Sequence, residues 1–267
     1  MELTFYKYQG AGNDFVIIDD RENLFDKKDH QLVKFLCDRR FGVGADGLML
    51  LRSSKAYDFE MVYFNADGYE GSMCGNGGRC IVAFAYHQKI ITEKCQFIAI
   101  DGPHEAAMLP IGSIGNDKEW VSLKMIDVST IEKSSTHCFM DTGSPHYVAM
   151  VNNLQDYDVV QEGKSIRYND RFKNTGTNVN FIQVVSPHEL HIRTYERGVE
   201  DETLACGTGV TAAVLTAHQN ELLENNTANV KALGGNLNVN FDFDGQVYSN
   251  IYLQGPAEFV FKGALSL

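Results

Sequence analysis

The 267-residue sequence has no apolar stretch approaching the ~20 residues that span a bilayer, no C-x-x-C pair and no cysteine and histidine spacing of the metal-binding type. It also has no low-complexity tract or long charge run. These gaps argue against a membrane-spanning helix and a zinc module. Positive charge is scarce as well: 23 Lys and Arg stand against 35 Asp and Glu, giving a formal net charge of -12. That balance argues against nucleic acid or an anionic membrane as the main partner, so an anionic substrate must be held by local donors. The start, Met1-Glu2-Leu3-Thr4-Phe5, lacks a basic region and an apolar signal core and points to a cytoplasmic protein. Gly42-Val43-Gly44 is no sign of a nucleotide, because no G-x-G-x-x-G leads from a strand into a helix.

What is present is a duplicated pattern. Cys74-Gly75-Asn76-Gly77 and Cys206-Gly207-Thr208-Gly209 each follow an extended polar or acidic segment and precede an apolar helical run. The glycines let the backbone turn tightly and aim N–H groups outward, and a helix starting there favours a thiolate or a carboxylate. Two such thiols on either side of one carbon form an acid and base pair. The other four cysteines, Cys37, Cys80, Cys95 and Cys138, read as small buried apolar side chains.

With 44% hydrophobic residues the chain can bury one large core or two smaller ones. Apolar or alternating runs predict strands at Leu3–Tyr8, Asp14–Asp19, Leu48–Leu51, Phe59–Phe64, Phe97–Ile100, Ala106–Leu109 and Trp120–Met125. A second set follows at Tyr147–Val151, Val179–Val185, Leu190–Tyr195, Ala228–Ala232, Leu237–Phe241 and Val247–Leu253. Helices are expected at Asp29–Arg40, Gly75–His87, Leu154–Glu162 and Gly207–Gln219. The turn-rich stretch 110–117 divides the chain into halves 1–115 and 116–255, with 256–267 returning to the first. The helices after both cysteines are apolar on most faces and therefore buried. The expected class is α/β (α+β): two pseudo-symmetric domains, each a curved, mostly antiparallel sheet around a central helix.

The runs Gly10-Ala11-Gly12-Asn13-Asp14-Phe15, Phe64-Asn65-Ala66-Asp67-Gly68, Cys74 to Cys80, Asn178-Val179-Asn180-Phe181, Tyr195-Glu196-Arg197-Gly198 and Ala205-Cys206-Gly207-Thr208-Gly209 together resemble the diaminopimelate epimerases. They stand in that family's order across nearly the whole chain. The resemblance implies a cofactor-independent isomerase, a homodimer, that interconverts LL- and meso-2,6-diaminopimelate in lysine and cell-wall synthesis. It also implies that His146 and Glu196 tune the thiols, and that Asn13, Asn65, Asn76, Asn178, Glu196 and Arg197 meet the substrate, diaminopimelate.

The chemistry also follows from the residues. Inverting an α-amino acid centre without a cofactor removes a proton on one face and returns one on the other. Cysteine suits both roles because its reference pKa, about 8.5, is tunable. Cys74 and Cys206 take these roles, while the amides of Gly75-Asn76 and Gly207-Thr208 stabilise the developing carboxylate charge. The planar fork of Arg197 suits a carboxylate. Two departures from the family stand out: Ser144 where many members have asparagine, in Gly143-Ser144-Pro145-His146, and Gly47 where many have glutamine. A proline or hydroxyproline epimerase on the same scaffold and a non-enzymatic thiol redox sensor are the alternatives.

Overall fold

The computed structural model describes residues 2–71, 73–113 and 118–266. They fall into two compact units, Met1–Leu123 with Gly255–Leu267, and Lys124–Gln254. The boundary expected at 115/116 lies outside the described residues.

In the first unit, β1 (Glu2–Gly10) and β2 (Asn13–Asp19) form a hairpin over Ala11-Gly12. Both turn residues have positive φ, 54° and 85°, the combination that matches strand twist in a two-residue loop. A crossover through α1 (His30–Cys37) sets β3 (Gly47–Arg52) parallel to β2, with Phe15 opposite Gly47. The expected helix ran to Arg40. It stops at Cys37 because Asp38 is extended (φ -66°, ψ 124°) and its carboxylate takes the amides of Arg40 and Phe41. β4 (Phe59–Asn65) returns antiparallel to β3, and a second crossover through α2 (Gly75–His87) sets β5 (Lys94–Ala99) parallel to β4. β6 (Gly102–Leu109) and β7 (Trp120–Lys124) complete a meander.

The second unit repeats this plan. β8 (Ile131–Lys133), β9 (His137–Asp141) and β10 (Pro145–Met150) are antiparallel neighbours, and α3 (Val159–Arg167) crosses to β11 (Asn178–Ser186), parallel to β10. β12 (Glu189–Glu196) returns with the short β13 (Asp201–Thr203) on it, and α4 (Gly207–Gln219) crosses to β14 (Thr227–Ala232), parallel to β12. β15 (Gly235–Phe243) and β16 (Tyr248–Pro256) finish the meander. The last strand, β17 (Glu258–Ser266), pairs antiparallel with β1, where β8 pairs with β9 in the second unit. Four of the described strand pairs are parallel, β2–β3, β4–β5, β10–β11 and β12–β14, each across a helical crossover.

α3 was expected over Leu154–Glu162 but begins at Val159. The Asp158 carboxylate caps the Gln161 amide at 3.0 Å, while Leu154, ahead of the helix, is buried against Val179, Phe181 and Tyr195. Strands β8 and β13 are too short to show a period-2 pattern, whereas β9, outside the expected strands, does alternate, with Cys138 and Met140 buried. By contrast α2 and α4 occupy the expected residues. Every residue of α2 from Gly75 to Ala85 is buried, and the helix packs on β1, β2, β3, β6 and β17, so the sheet curls around it. α4 is buried from Gly209 to Ala217 and packs on β9, β10, β11, β12, β14 and β15. Apolar faces on all sides of a helix require a partner on all sides, and a curled sheet supplies it.

Candidate active site

Both pattern cysteines are N-cap residues of a buried crossover helix. Cys74 (φ -91°, ψ 129°) precedes α2, and its carbonyl accepts from Gly78 N at 2.7 Å. Cys206 (φ -115°, ψ 112°) precedes α4, and its carbonyl accepts from Val210 N at 2.9 Å. In neither case does the side chain cap the helix, so the thiol is left to other partners while the first-turn amides point beyond the helix end.

In the first unit the β1–β2 hairpin carries Asn13 to Cys74. Cys74 Sγ lies 3.6 Å from Asn13 Oδ1, which also accepts from Asn76 Nδ2 at 3.3 Å. Asn13 Nδ2 donates to Asp46 at 2.5 Å. Asp46 and Asp14 share Arg39 at 2.7 Å each, and Lys7 bonds Asp14 and the Gly44 carbonyl. Burial opposes ionisation of Asp14, but hydrogen bonds from Arg39 and Lys7 win and hold its carboxyl below the usual range. Behind Asn76 lies Arg79, wholly buried, donating to Asn76 Oδ1 at 3.0 Å and to the carbonyls of Gly75 and Pro256. Asn65 sits exposed at the end of β4, its backbone amide bonded to Tyr69 O.

In the second unit Thr208 Oγ1 lies 3.4 Å from Cys206 Sγ and 2.8 Å from His146 Nε2. Ser144 Oγ touches His146 Nε2 at 3.0 Å, Thr208 Oγ1 at 3.2 Å and Asn178 Nδ2 at 3.1 Å. The hydroxyl that replaces the family's asparagine is thus a junction of this network. Asn180 fixes the ring: its Oδ1 accepts from Thr194, and its Nδ2 donates to Tyr147 O and, at 3.0 Å, to His146 Nδ1. Nδ1 is therefore an acceptor and the ring proton of neutral His146 sits on Nε2, facing the two hydroxyls. Burial, then the Arg197 charge, push the His146 pKa down to about 3. Thr208 Oγ1, accepting from that N–H, links the ring to Cys206 Sγ. Gly209 makes this packing possible, since a Cβ there would lie 2.4 Å from Asn180 Oδ1 and 3.3 Å from His146 Cε1.

Asn178 holds the strand end beside this group, with its Oδ1 accepting from Arg197 N at 2.9 Å. The exposed Arg197 guanidinium bonds Thr175 O, and Glu196 accepts from Thr203 Oγ1 at 2.9 Å. The structure therefore gathers Asn13, Cys74 and Asn76 in one unit, and His146, Asn178, Cys206 and Thr208 in the other. Sequence reasoning gave Asn180, Asp46 and Arg79 no role. Asn180 had a signal, lying two positions beyond Asn178 on the same strand face, and Arg79 lies one helical turn beyond Asn76. Asp46 had none, because it meets Asn13 only through the parallel β2–β3 register.

A family model described as diaminopimelate epimerase matches residues 5–112 and 138–260. The chain is 47% identical over 260 residues to a diaminopimelate epimerase of Flavobacterium psychrophilum, covering 97% of this chain and 99% of that one. It is 44% identical over 266 residues to the corresponding protein of Chlorobaculum tepidum, with coverage of 97% and 99%. Among solved structures, a PhzF-family phenazine biosynthesis protein of Bacillus anthracis superposes with a TM-score of 0.75 at 14% identity, covering all of both chains. A hydroxyproline epimerase from Agrobacterium vitis does so with 0.70 at 13%, covering 100% of this chain and 93% of that one. At such identities these two show a shared fold.

Proposed function

The chain belongs to the diaminopimelate epimerase family, an isomerase of LL- and meso-2,6-diaminopimelate in lysine biosynthesis, and from that premise we propose that Cys74 and Cys206 are its two proton-transfer groups. One thiolate removes the α-proton, and the other thiol delivers a proton to the opposite face. The pair finishes with its protonation states exchanged. The observation that supports this reading is the same N-cap thiol, before the same buried crossover helix, in two units whose parallel crossovers match.

Positioned proton transfer contributes roughly 10²–10⁴-fold, so the carbanion needs further stabilisation. The first-turn amides of α2 and α4 supply it by holding the substrate α-carboxylate, onto which the negative charge spreads. His146 acts on Cys206 through Thr208. Glu196, Arg197, Asn13, Asn65, Asn76 and Asn178 complete the substrate contacts in this reading. A cytoplasmic homodimer goes with it: thiols that exchange protons must stay reduced, as a reducing compartment ensures, and the dimer is an expectation carried by the family resemblance.

Incubation of reduced protein with LL-diaminopimelate in D₂O, with proline in parallel, tests substrate and chemistry together. Meso product carrying solvent deuterium at the inverted centre, with no exchange on proline, is expected. Cys74→Ala and Cys206→Ala are each expected to abolish net epimerisation with the fold retained; near-normal turnover by either removes the two-thiol assignment.

A further inference from the structure

The mechanism above gives no part to Arg79, a fully buried cation one turn into α2. Its Nη2 donates to Asn76 Oδ1 at 3.0 Å, its Nη1 to Gly75 O at 3.3 Å and its Nε to Pro256 O at 3.4 Å, and all three acceptors are neutral. Among the described residues no carboxylate meets it. The ionisable groups that act on it are the thiols of Cys74 and Cys80, and burial keeps Cys80 protonated. Burial also pulls the Arg79 pKa down, but a guanidinium keeps its proton in a protein. The first turn of α2 holds no acidic residue, so the positive end of the helix dipole and a buried positive charge stand together without a carboxylate from the helix. An isolated buried charge is strongly unfavourable until an anion reaches it.

The bond to Gly75 O shows where that charge is felt. The Gly75 carbonyl and the Asn76 N–H belong to one planar peptide unit and point in opposite directions, so a cation on the oxygen strengthens the N–H as a donor beyond the helix end. α4 supplies the comparison: Thr211, fifth after Cys206 as Arg79 is fifth after Cys74, donates its hydroxyl to Gly207 O at 3.2 Å. The corresponding peptide is thus bonded in both helices, by a cation in α2 and by a neutral hydroxyl in α4. We propose that Arg79 is a positioning residue that acts through the Gly75–Asn76 peptide and makes the α2 end the place where the substrate α-carboxylate takes up the negative charge left by the departing α-proton. This rests on the two-thiol reading. The charge on that carboxylate roughly doubles as the carbanion forms, so the interaction is stronger in the transition state than with bound substrate.

The test is steady-state kinetics with LL-diaminopimelate, beside urea unfolding, in Arg79→Gln, which keeps donors and loses the charge, and in Arg79→Lys, which keeps the charge and loses the fork. Arg79→Gln is expected to lower kcat about thirtyfold while KM rises less than about threefold, and Arg79→Lys to recover most of kcat. Stability is expected to run the other way, with the neutral Arg79→Gln unfolding at the same or higher urea than Arg79→Lys, which still buries a charge. If Arg79→Gln loses its cooperative transition, Arg79→Met, apolar and nearly as long, is expected to fold and to show the same fall in kcat. The proposal is overturned by a kcat of the neutral variant within about threefold of the parent, by activity that follows stability across the variants, or by neutral variants that both fail to fold while Arg79→Lys folds. Failure of the two-thiol reading is separate, since it appears as epimerisation surviving in Cys74→Ala or Cys206→Ala with Arg79 in place.

Discussion

At the scale of single residues, the site is a set of small polar groups that bond one another and the two thiols. Thr208 illustrates the consequence: it links His146 to Cys206 with one hydroxyl. Thr208→Val keeps the shape and removes the link, so steady-state kinetics are expected to show kcat falling at least tenfold, with Thr208→Ser recovering most of it. His146 makes a second prediction. Its pKa falls from 6.5 to about 3 on folding, so the unfolded chain binds the extra proton between those values. Its contribution to stability is complete above 6.5 and is lost as pH drops toward about 3, with a slope approaching roughly 1.4 kcal/mol per pH unit. Urea unfolding from pH 4 to 8 is expected to show that component in the parent and not in His146→Asn. Gly47, the other departure from the family, has a local cause: a Cβ there would lie 2.6 Å from both Phe64 O and Tyr63 Cε2. The Tyr63 ring occupies the space a glutamine stem needs, so Gly47→Gln is expected to destabilise, and to be better tolerated with Tyr63→Ala by thermal denaturation.

At the scale of elements, the legible parts were those with a strong local pattern. α2 and α4 run over the expected residues, Gly75–His87 and Gly207–Gln219, because glycines after a cysteine mark the start and an unbroken apolar run marks the body. α3 is amphipathic and capped by Asp158, and the apolar Leu154 ahead of it reads as helix until packing places it in the core. The residues around the thiols were legible by type, but their pairing was not. Asn13 meets Asp46 because β2 and β3 are parallel in one register, and His146 meets Thr208 across 62 positions because β10 lies beside α4. Close packing of α4 on β11 yields a further prediction: Gly209→Ala brings a methyl onto Asn180 Oδ1 at 2.4 Å. The clash is expected to displace the Asn180 amide from His146, costing on the order of 1–3 kcal/mol in urea unfolding and lowering kcat.

At the scale of the whole molecule, the chain closes its first unit with its last strand. β17 pairs along β1, the Phe261 ring meets Phe5 edge-on at 5.9 Å, and the Phe5 ring lies over Gly263. Removing residues 258–267 uncovers Phe5 and one whole edge of β1, so the first unit is expected to unfold at lower urea than in the full chain, as read by tryptophan fluorescence from Trp120. The second unit, whose equivalent edge strand β8 is contiguous with its hairpin, does not depend on that segment. The sequence by itself determined the mixed class, the two helices apolar on most faces, the duplicated cysteine pattern and the family, since each is carried by local order along the chain. Tertiary structure alone decided which amide faces which thiol, which nitrogen of His146 carries the proton and why glycine stands at 47, because those depend on contacts between residues far apart in sequence. A hydrogen bond has a direction only when both partners are in place, and folding is what brings them together.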